Sequence, residues 1–203
     1  LKSKIKKTGL LLSGIFLLAI FIFFIVIFFG SDEVLTEPVG WEKTRIISDI
    51  KGNYYAPTAD ARGNLIAVAY EGEISGKKAI FVAVSLDGGN SFLQQQPVFD
   101  LKSSVEASPV VAISRNGEIC LVWNFLSDDN AEGIIYFSHS VDFGATWSEP
   151  VAIETGLASS LLPSIKFDDE DRLHLFFTAY TGDFFTIFHS RREAGVFLKP
   201  EMV

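Results

Sequence analysis

The sequence predicts an all-β fold of β-propeller blades, each of four antiparallel strands, with about three blades present and one transmembrane α-helix ahead of them. Three observations predict it. The pattern Ser-x-Asp-x-Gly-x-x-aromatic occurs twice, at Ser85 to Phe92 and at Ser140 to Trp147. A unit opening on proline recurs at Pro57, Pro109 and Pro163, with spacings of 52 and 54 residues. Ahead of these, Gly9 to Phe29 is an apolar run of 21 residues.

As a helix rising about 1.5 Å per residue, that run spans roughly the 30 Å hydrocarbon core of a bilayer. Lys2, Lys4, Lys6 and Lys7 precede it and Asp32, Glu33 and Glu37 follow, so the positive-inside bias leaves residues 1–8 as a cytoplasmic tail and exports the rest. A cleaved signal peptide is the competing reading. The run is long for one, and bulky Phe28 and Phe29 stand where small residues would be wanted. A lipoprotein anchor is excluded, because the single cysteine, Cys120, lies far from the N-terminus. Residues 30–50 then read as a linker with a leading strand, and 51–203 as the repeats.

Each unit reads as a strand after the proline, a polar turn, a second strand, a variable loop, a third strand and an exit strand. The second strand of unit two alternates, with Ile119, Leu121 and Trp123 on one face and Glu118, Cys120 and Val122 on the other. Third strands are predicted at Ala79 to Val84, Gly133 to Ser138 and Phe184 to His189. Four short strands per repeat of roughly 50 residues make a propeller blade. Propellers typically close with about four to eight blades, so three leave open ends. The sequence is then read as part of a longer protein, in preference to two chains sharing one ring.

The repeated octapeptide has a turn's chemistry. Ser85, Asp87, Ser140 and Asp142 can fold back onto backbone N–H groups, Gly89 and Gly144 tolerate positive φ, and Phe92 and Trp147 re-enter a packed strand. The pattern resembles the Asp-box, or BNR repeat, of sialidases and other β-propellers. A worn third copy is read at Ser190 to Pro200, with Arg192 where Asp142 stands. The resemblance implies that Asp87 and Asp142 serve outer hairpins rather than chemistry.

Residues 31–203 hold 13 basic and 25 acidic residues, a net of −12. That surface argues against nucleic acid and anionic lipid, and suits neutral or cationic partners or divalent ions. One cysteine gives no intramolecular disulfide, so the exported part is held by its core. His139 and His189 each precede a box serine and are read as sharing a packing role, while His174 faces away from Leu173 and Leu175; none has metal-ligand spacing. Asp168 to Asp171 and Asp128 to Asn130 offer oxygens that suit Ca2+. The matching turns in units one and two are ordinary polar hairpins, so solvated turns are expected, with no metal and no cofactor.

Resemblance to sialidases implies an arginine triad, an aspartate acid/base and a Tyr/Glu nucleophile pair around a central cleft, an exception to the two-carboxylate rule. Tyr55 stands where the first arginine belongs, Arg45 lacks the proline that should follow it, and Glu71 and Glu73 alone occupy the stretch of the acid/base. No catalytic residue is therefore assigned. The expected function is a membrane-anchored, extracytoplasmic, non-catalytic module that binds glycan or protein. Its ligand-binding candidates are Tyr54, Tyr55, Glu106 and Ser108, with Ser159 and Ser160, where the innermost strands begin. The alternative is the N-terminal part of an exo-sialidase or related glycoside hydrolase; a propeller that helps assemble membrane complexes shares the fold class.

Overall fold

The computed structural model describes residues 46–48, 52–93, 97–101, 107–126 and 133–203. The predicted membrane segment 9–29, Glu106 and Asp128 to Asn130 lie outside them. Among the described residues no helix is long and apolar enough to cross a membrane.

Among the described residues thirteen strands form three antiparallel sheets. The first sheet orders β1 (Asn53–Arg62), β2 (Leu65–Ile74), β3 (Lys77–Ser85) and β4 (Pro97–Leu101) as a meander. The second repeats it with β5 (Val110–Ile113), β6 (Ile119–Leu126), β7 (Gly133–Ser140) and β8 (Val151–Ala152). The third runs β9 (Ala158–Phe167), β10 (Leu173–Tyr180) and β11 (Phe185–Glu193), and its outer edge is split into β12 (Val196–Phe197) and β13 (Glu201–Met202), both paired to β11.

Period-two alternation puts apolar rows on both faces of these strands, and the core lies between consecutive sheets. Ala67, Ala69, Ile80, Val82 and Val84 of the first sheet meet Ile119, Leu121 and Trp123 of the second. Cys120, Val122, Ile135 and Phe137 on the far face of the second meet Leu173, Leu175, Phe177 and Phe188 of the third. The first strands β1, β5 and β9 lie side by side. They are knitted by Thr58 Oγ1 donating to Pro109 O at 2.9 Å, Ile113 N–H donating to Asp60 Oδ2 at 2.8 Å, and Lys166 Nζ reaching Asp60 Oδ1 at 2.6 Å. The rising residue numbers from Thr58–Pro109 to Asp60–Ile113 show β1 and β5 running parallel, and Gly133 N–H on Ser159 at one end with Arg115 N–H on Asp171 at the other sets β9 the same way, with the three starts at one end.

Two expectations are corrected. The first strands were expected to begin after each proline, but β1 and β9 start at Asn53 and Ala158, ahead of Pro57 and Pro163, and break at the proline. The cause is a left-handed residue before every one: Ala56 (φ 49°), Ser108 (φ 45°) and Leu162 (φ 51°). A residue before proline normally stays extended, so this break was not legible.

The second correction concerns the third hairpin. In the first two, Leu93 N–H donates to Val84 O and Ser148 N–H to His139 O, both at 2.8 Å. In the third, Ala194 (φ 49°) and Gly195 (φ 87°) make a two-residue turn with both φ positive, closed by the pairs Glu193↔Val196 and Arg192↔Phe197, the primed geometry that matches strand twist. The shorter turn slides β11 by two residues against the earlier copies. Cys120 faces His139 in the second sheet, whereas His174 faces Arg191 and Phe176 faces His189 in the third. Ser190 therefore matches Ser138, since Ser190 Oγ donates to Leu198 O at 2.6 Å as Ser138 Oγ donates to Ser148 O at 2.7 Å. His189 sits where Phe137 does, so the packing role expected to join it to His139 is not shared.

Candidate functional site

The starts of β1, β5 and β9 form a mouth at one end of the parallel first strands. Its repeated feature is the left-handed residue before each proline, a conformation that costs a non-glycine residue about 1 to 3 kcal/mol and persists only where the surroundings over-determine it. At the first seam the surroundings are Glu71 of β2. Buried to 4% exposure, its Oε1 accepts the N–H groups of Ala107 at 2.8 Å and Ser108 at 2.9 Å. Asn124 N–H donates to Ala107 O at 2.9 Å from the second sheet. At the third strand Thr178 Oγ1 donates to Leu161 O at 3.1 Å.

Tyr55 is 49% exposed and pairs across the strand with Glu71, so it joins Glu71 and Ser108 in one seam between the first two sheets. Tyr54 goes elsewhere: its ring meets Tyr70 edge-on at 5.6 Å within the cluster of Phe81 and Ala83. Burial, then the charge of Tyr54, pushes the Tyr70 phenol up, which keeps it neutral. Ser159 (φ 48°) and Ser160 occupy the next seam. Ser159 Oγ accepts Gly133 N–H at 3.2 Å, and Ser160 Oγ lies 2.9 Å from Thr155 Oγ1. These two serines help line a cavity of about 260 Å³ between the outer part of the second sheet and the start of β9. Sequence reasoning set Glu71 aside, because its contact with Ser108 spans 37 residues, and passed over Thr155, although its partner Ser160 is five residues on.

The box residues form two superimposable clasps. In the first, Ser85 Oγ donates to Asp87 Oδ1 at 2.8 Å and accepts Gly89 N–H at 2.8 Å, while Asp87 takes Ser91 N–H at 2.8 Å and Ser91 Oγ at 2.6 Å. The second repeats this with Ser140, Asp142, Gly144 and Thr146 at 2.8, 2.8, 2.8 and 2.6 Å. The Ser91 hydroxyl, then its N–H, then Ser85 hold Asp87 down at about 2; the Thr146 hydroxyl, its N–H and Ser140 do the same to Asp142. Phe92 packs on the Tyr70 cluster and Trp147 between the first two sheets.

The acidic turn is occupied from within. Asp168 accepts Glu170 N–H and Arg172 N–H at 2.9 Å each, Arg172 Nε at 2.6 Å and pairs with His174 Nε2 at 2.9 Å. Asp171 accepts Arg115 N–H at 2.6 Å. The Arg172 backbone donor, with His174 and the Arg172 side chain behind it, holds Asp168 well below the usual carboxylate range. His174 Nδ1 in turn lies 2.8 Å from His189 Nε2, and burial, then His174, pushes His189 down. Among the described residues no group of three side chains is placed to hold a metal ion. Burial pushes the Cys120 thiol up, so it is a packed side chain rather than a nucleophile.

No protein-family model and no curated protein matches this chain. Solved structures do. A protein of unknown function from Dyadobacter fermentans aligns with TM-score 0.58 at 19% identity, over 77% of this chain and 53% of its own. A GH43_1 enzyme from Xanthomonas citri, complexed with xylose, aligns with TM-score 0.55 at 12% identity, over 75% and 56%. A polysaccharide lyase of family PL25, an ulvan lyase, gives 0.52 and 12%, over 74% and 40%. The fold is propeller-like. This chain spans about half the length of these structures.

Proposed function

We propose that this chain is a sialidase-like propeller of the Asp-box type, tethered outside the cytoplasm by residues 9–29, that binds glycan at the mouth of its first strands without cutting it. The observation that carries this reading is the left-handed break at Ala56, Ser108 and Leu162, one at each blade's mouth. It is backbone strain repeated at the head of each blade, and at the first seam it lies beside an exposed Tyr55 ring and Ser108. A tyrosine face suits the C–H face of a sugar, and hydroxyls suit its edges. The two clasps and the net charge of −12 beyond the apolar run fit an exported module for neutral ligands. The mouth's buried carboxylate, Glu71, is engaged in holding Ala107 and Ser108, which leaves it poorly placed as an acid or base.

The likeness to carbohydrate-active enzymes favours the second reading, that these blades are part of a glycoside hydrolase. One experiment separates the two. The full 203-residue chain is titrated against a glycan library and against a fluorogenic sialoside. Retention of a neutral glycan, weakened roughly threefold to tenfold in Tyr55→Ala as loss of one aromatic contact implies, supports binding. Sialoside turnover would instead place the chain among the hydrolases.

A further inference from the structure

We propose a second carbohydrate site, off the axis of the first strands, in the cavity between the second sheet and β9, with one neutral pyranose ring as its occupant. The inference extends the glycan-binding reading above. The cavity's wall includes Gly133 and Ile135 at the start of β7, Ile153 after β8, and the turn through Glu154 and Thr155 that leads to Ser159 and Ser160. β7 is the third strand of its sheet, two strands out from β5, so the cavity runs outward from the start of β9, on the opposite side of the second sheet from Tyr55, Glu71 and Ser108.

Its size and chemistry select the ligand. About 260 Å³ falls just under the roughly 300 to 1,000 Å³ of pockets for drug-sized ligands, which suits one sugar ring rather than a chain of them. Ile135 and Ile153 give an apolar floor and are themselves buried, at 0% and 8% exposure. Along the edge stand three hydroxyls. Ser159 Oγ accepts from Gly133 N–H and keeps its own O–H to donate. Ser160, 2% exposed, and Thr155 share one hydrogen bond, Thr155 Oγ1 also accepts Leu157 N–H at 3.3 Å and donates to Leu157 O at 3.5 Å, and two of the pair's four acceptor lone pairs remain. Glu154 adds a carboxylate that accepts from adjacent ring hydroxyls and repels anionic sugars.

The wall is fixed rather than soft. A side chain at Gly133 would bring a Cβ within 2.3 Å of Leu161 Cδ2 and 2.8 Å of Ser160 O. Ile153 N–H is held by Ile135 O at 2.8 Å, which ties the turn after β8 to the start of β7. A wall braced this way holds the hydroxyls in place before the ligand arrives, and so reduces the ordering cost of binding.

The test is saturation-transfer NMR and titration calorimetry on the full chain with methyl glycosides of glucose, galactose, mannose and glucuronic acid. At least one neutral glycoside is expected to bind near ~1 mM, the affinity of a few shallow contacts. Ser159→Ala and Thr155→Val are each expected to weaken it about threefold to tenfold, the worth of one neutral hydrogen bond. Tyr55→Ala should leave it unchanged, whereas the same variant weakens binding at the mouth, so the two sites fail separately. Glu154→Gln is expected to weaken the neutral glycoside and let the glucuronide bind. No binding by the wild type, or binding indifferent to Ser159→Ala, Thr155→Val and Glu154→Gln alike, overturns the proposal. Unchanged far-UV and near-UV dichroism of each variant keeps the comparison fair.

Discussion

At the scale of single residues, a carboxylate's role follows from who donates to it. Asp87 and Asp142 each take a hydroxyl and a backbone N–H from the residue four further on, and both are held at about 2 against an ordinary 3.8. Their folded pKa lies below the unfolded one, so each clasp's contribution is present above about pH 4 and is lost as pH falls toward about 2. The double variant Asp87→Asn with Asp142→Asn is therefore expected to melt lower at neutral pH and to lose less melting temperature between those two values. Calorimetry across that window checks it, and some slope will persist because Asp168 is depressed as well. Glu71 differs because it is buried. Glu71→Ala leaves the N–H groups of Ala107 and Ser108 without their acceptor, a loss of about 1 to 3 kcal/mol in urea unfolding. Glu71→Gln keeps a carbonyl oxygen and should cost less.

At the scale of elements, the third hairpin shows what a turn can do to a whole strand. The octapeptide clasp and the two-residue turn both close a hairpin, but the shorter turn slides β11 by two positions. That slide brings Arg192 to the seam with the second sheet, where Nη1 meets Glu118 Oε1 at 2.7 Å and the guanidinium lies 4.7 Å over the Phe137 ring. His139 Nδ1 stands 2.9 Å from the same carboxylate oxygen. An arginine read as a spoiled clasp is thus a pin between sheets. Arg192→Ala should lower stability by about 1.5 to 3 kcal/mol, the range for a hydrogen bond to a charged group, seen in chemical denaturation. Both residues of the turn have positive φ, and asparagine tolerates that better than alanine. Ala194→Asn should raise the melting temperature, and Gly195→Ala should lower it.

At the scale of the whole molecule, the repeat was legible and its irregularities were not. Prolines, polar turns and period-two strands foretold three antiparallel sheets, the third of which has its outer strand split in two, since each of those signals is local. The left-handed residues at Ala56, Ser108 and Leu162 carried no such signal, because neither glycine nor asparagine marks them and a following proline argues for extension. The slide of β11 was hidden because Ser190 and Pro200 match Ser140 and Pro150 in spacing, yet pair two residues out of step. Of the candidate site, Tyr55 and Ser108 were singled out from their place ahead of the prolines. Glu71 was seen and set aside, since its contact with Ser108 spans 37 residues. The cavity joins segments around residues 133–135 and 152–160, which only sheet pairing brings together.

We propose above all that the blades hold a glycan and do not cleave it. The most direct measurement is the mass of a glycan retained by the full chain, read after prolonged incubation at neutral pH. The glycan is predicted to be recovered at its starting mass, with Tyr55→Ala retaining less of it. Appearance of a shorter glycan and a released monosaccharide in the wild-type sample would contradict the account.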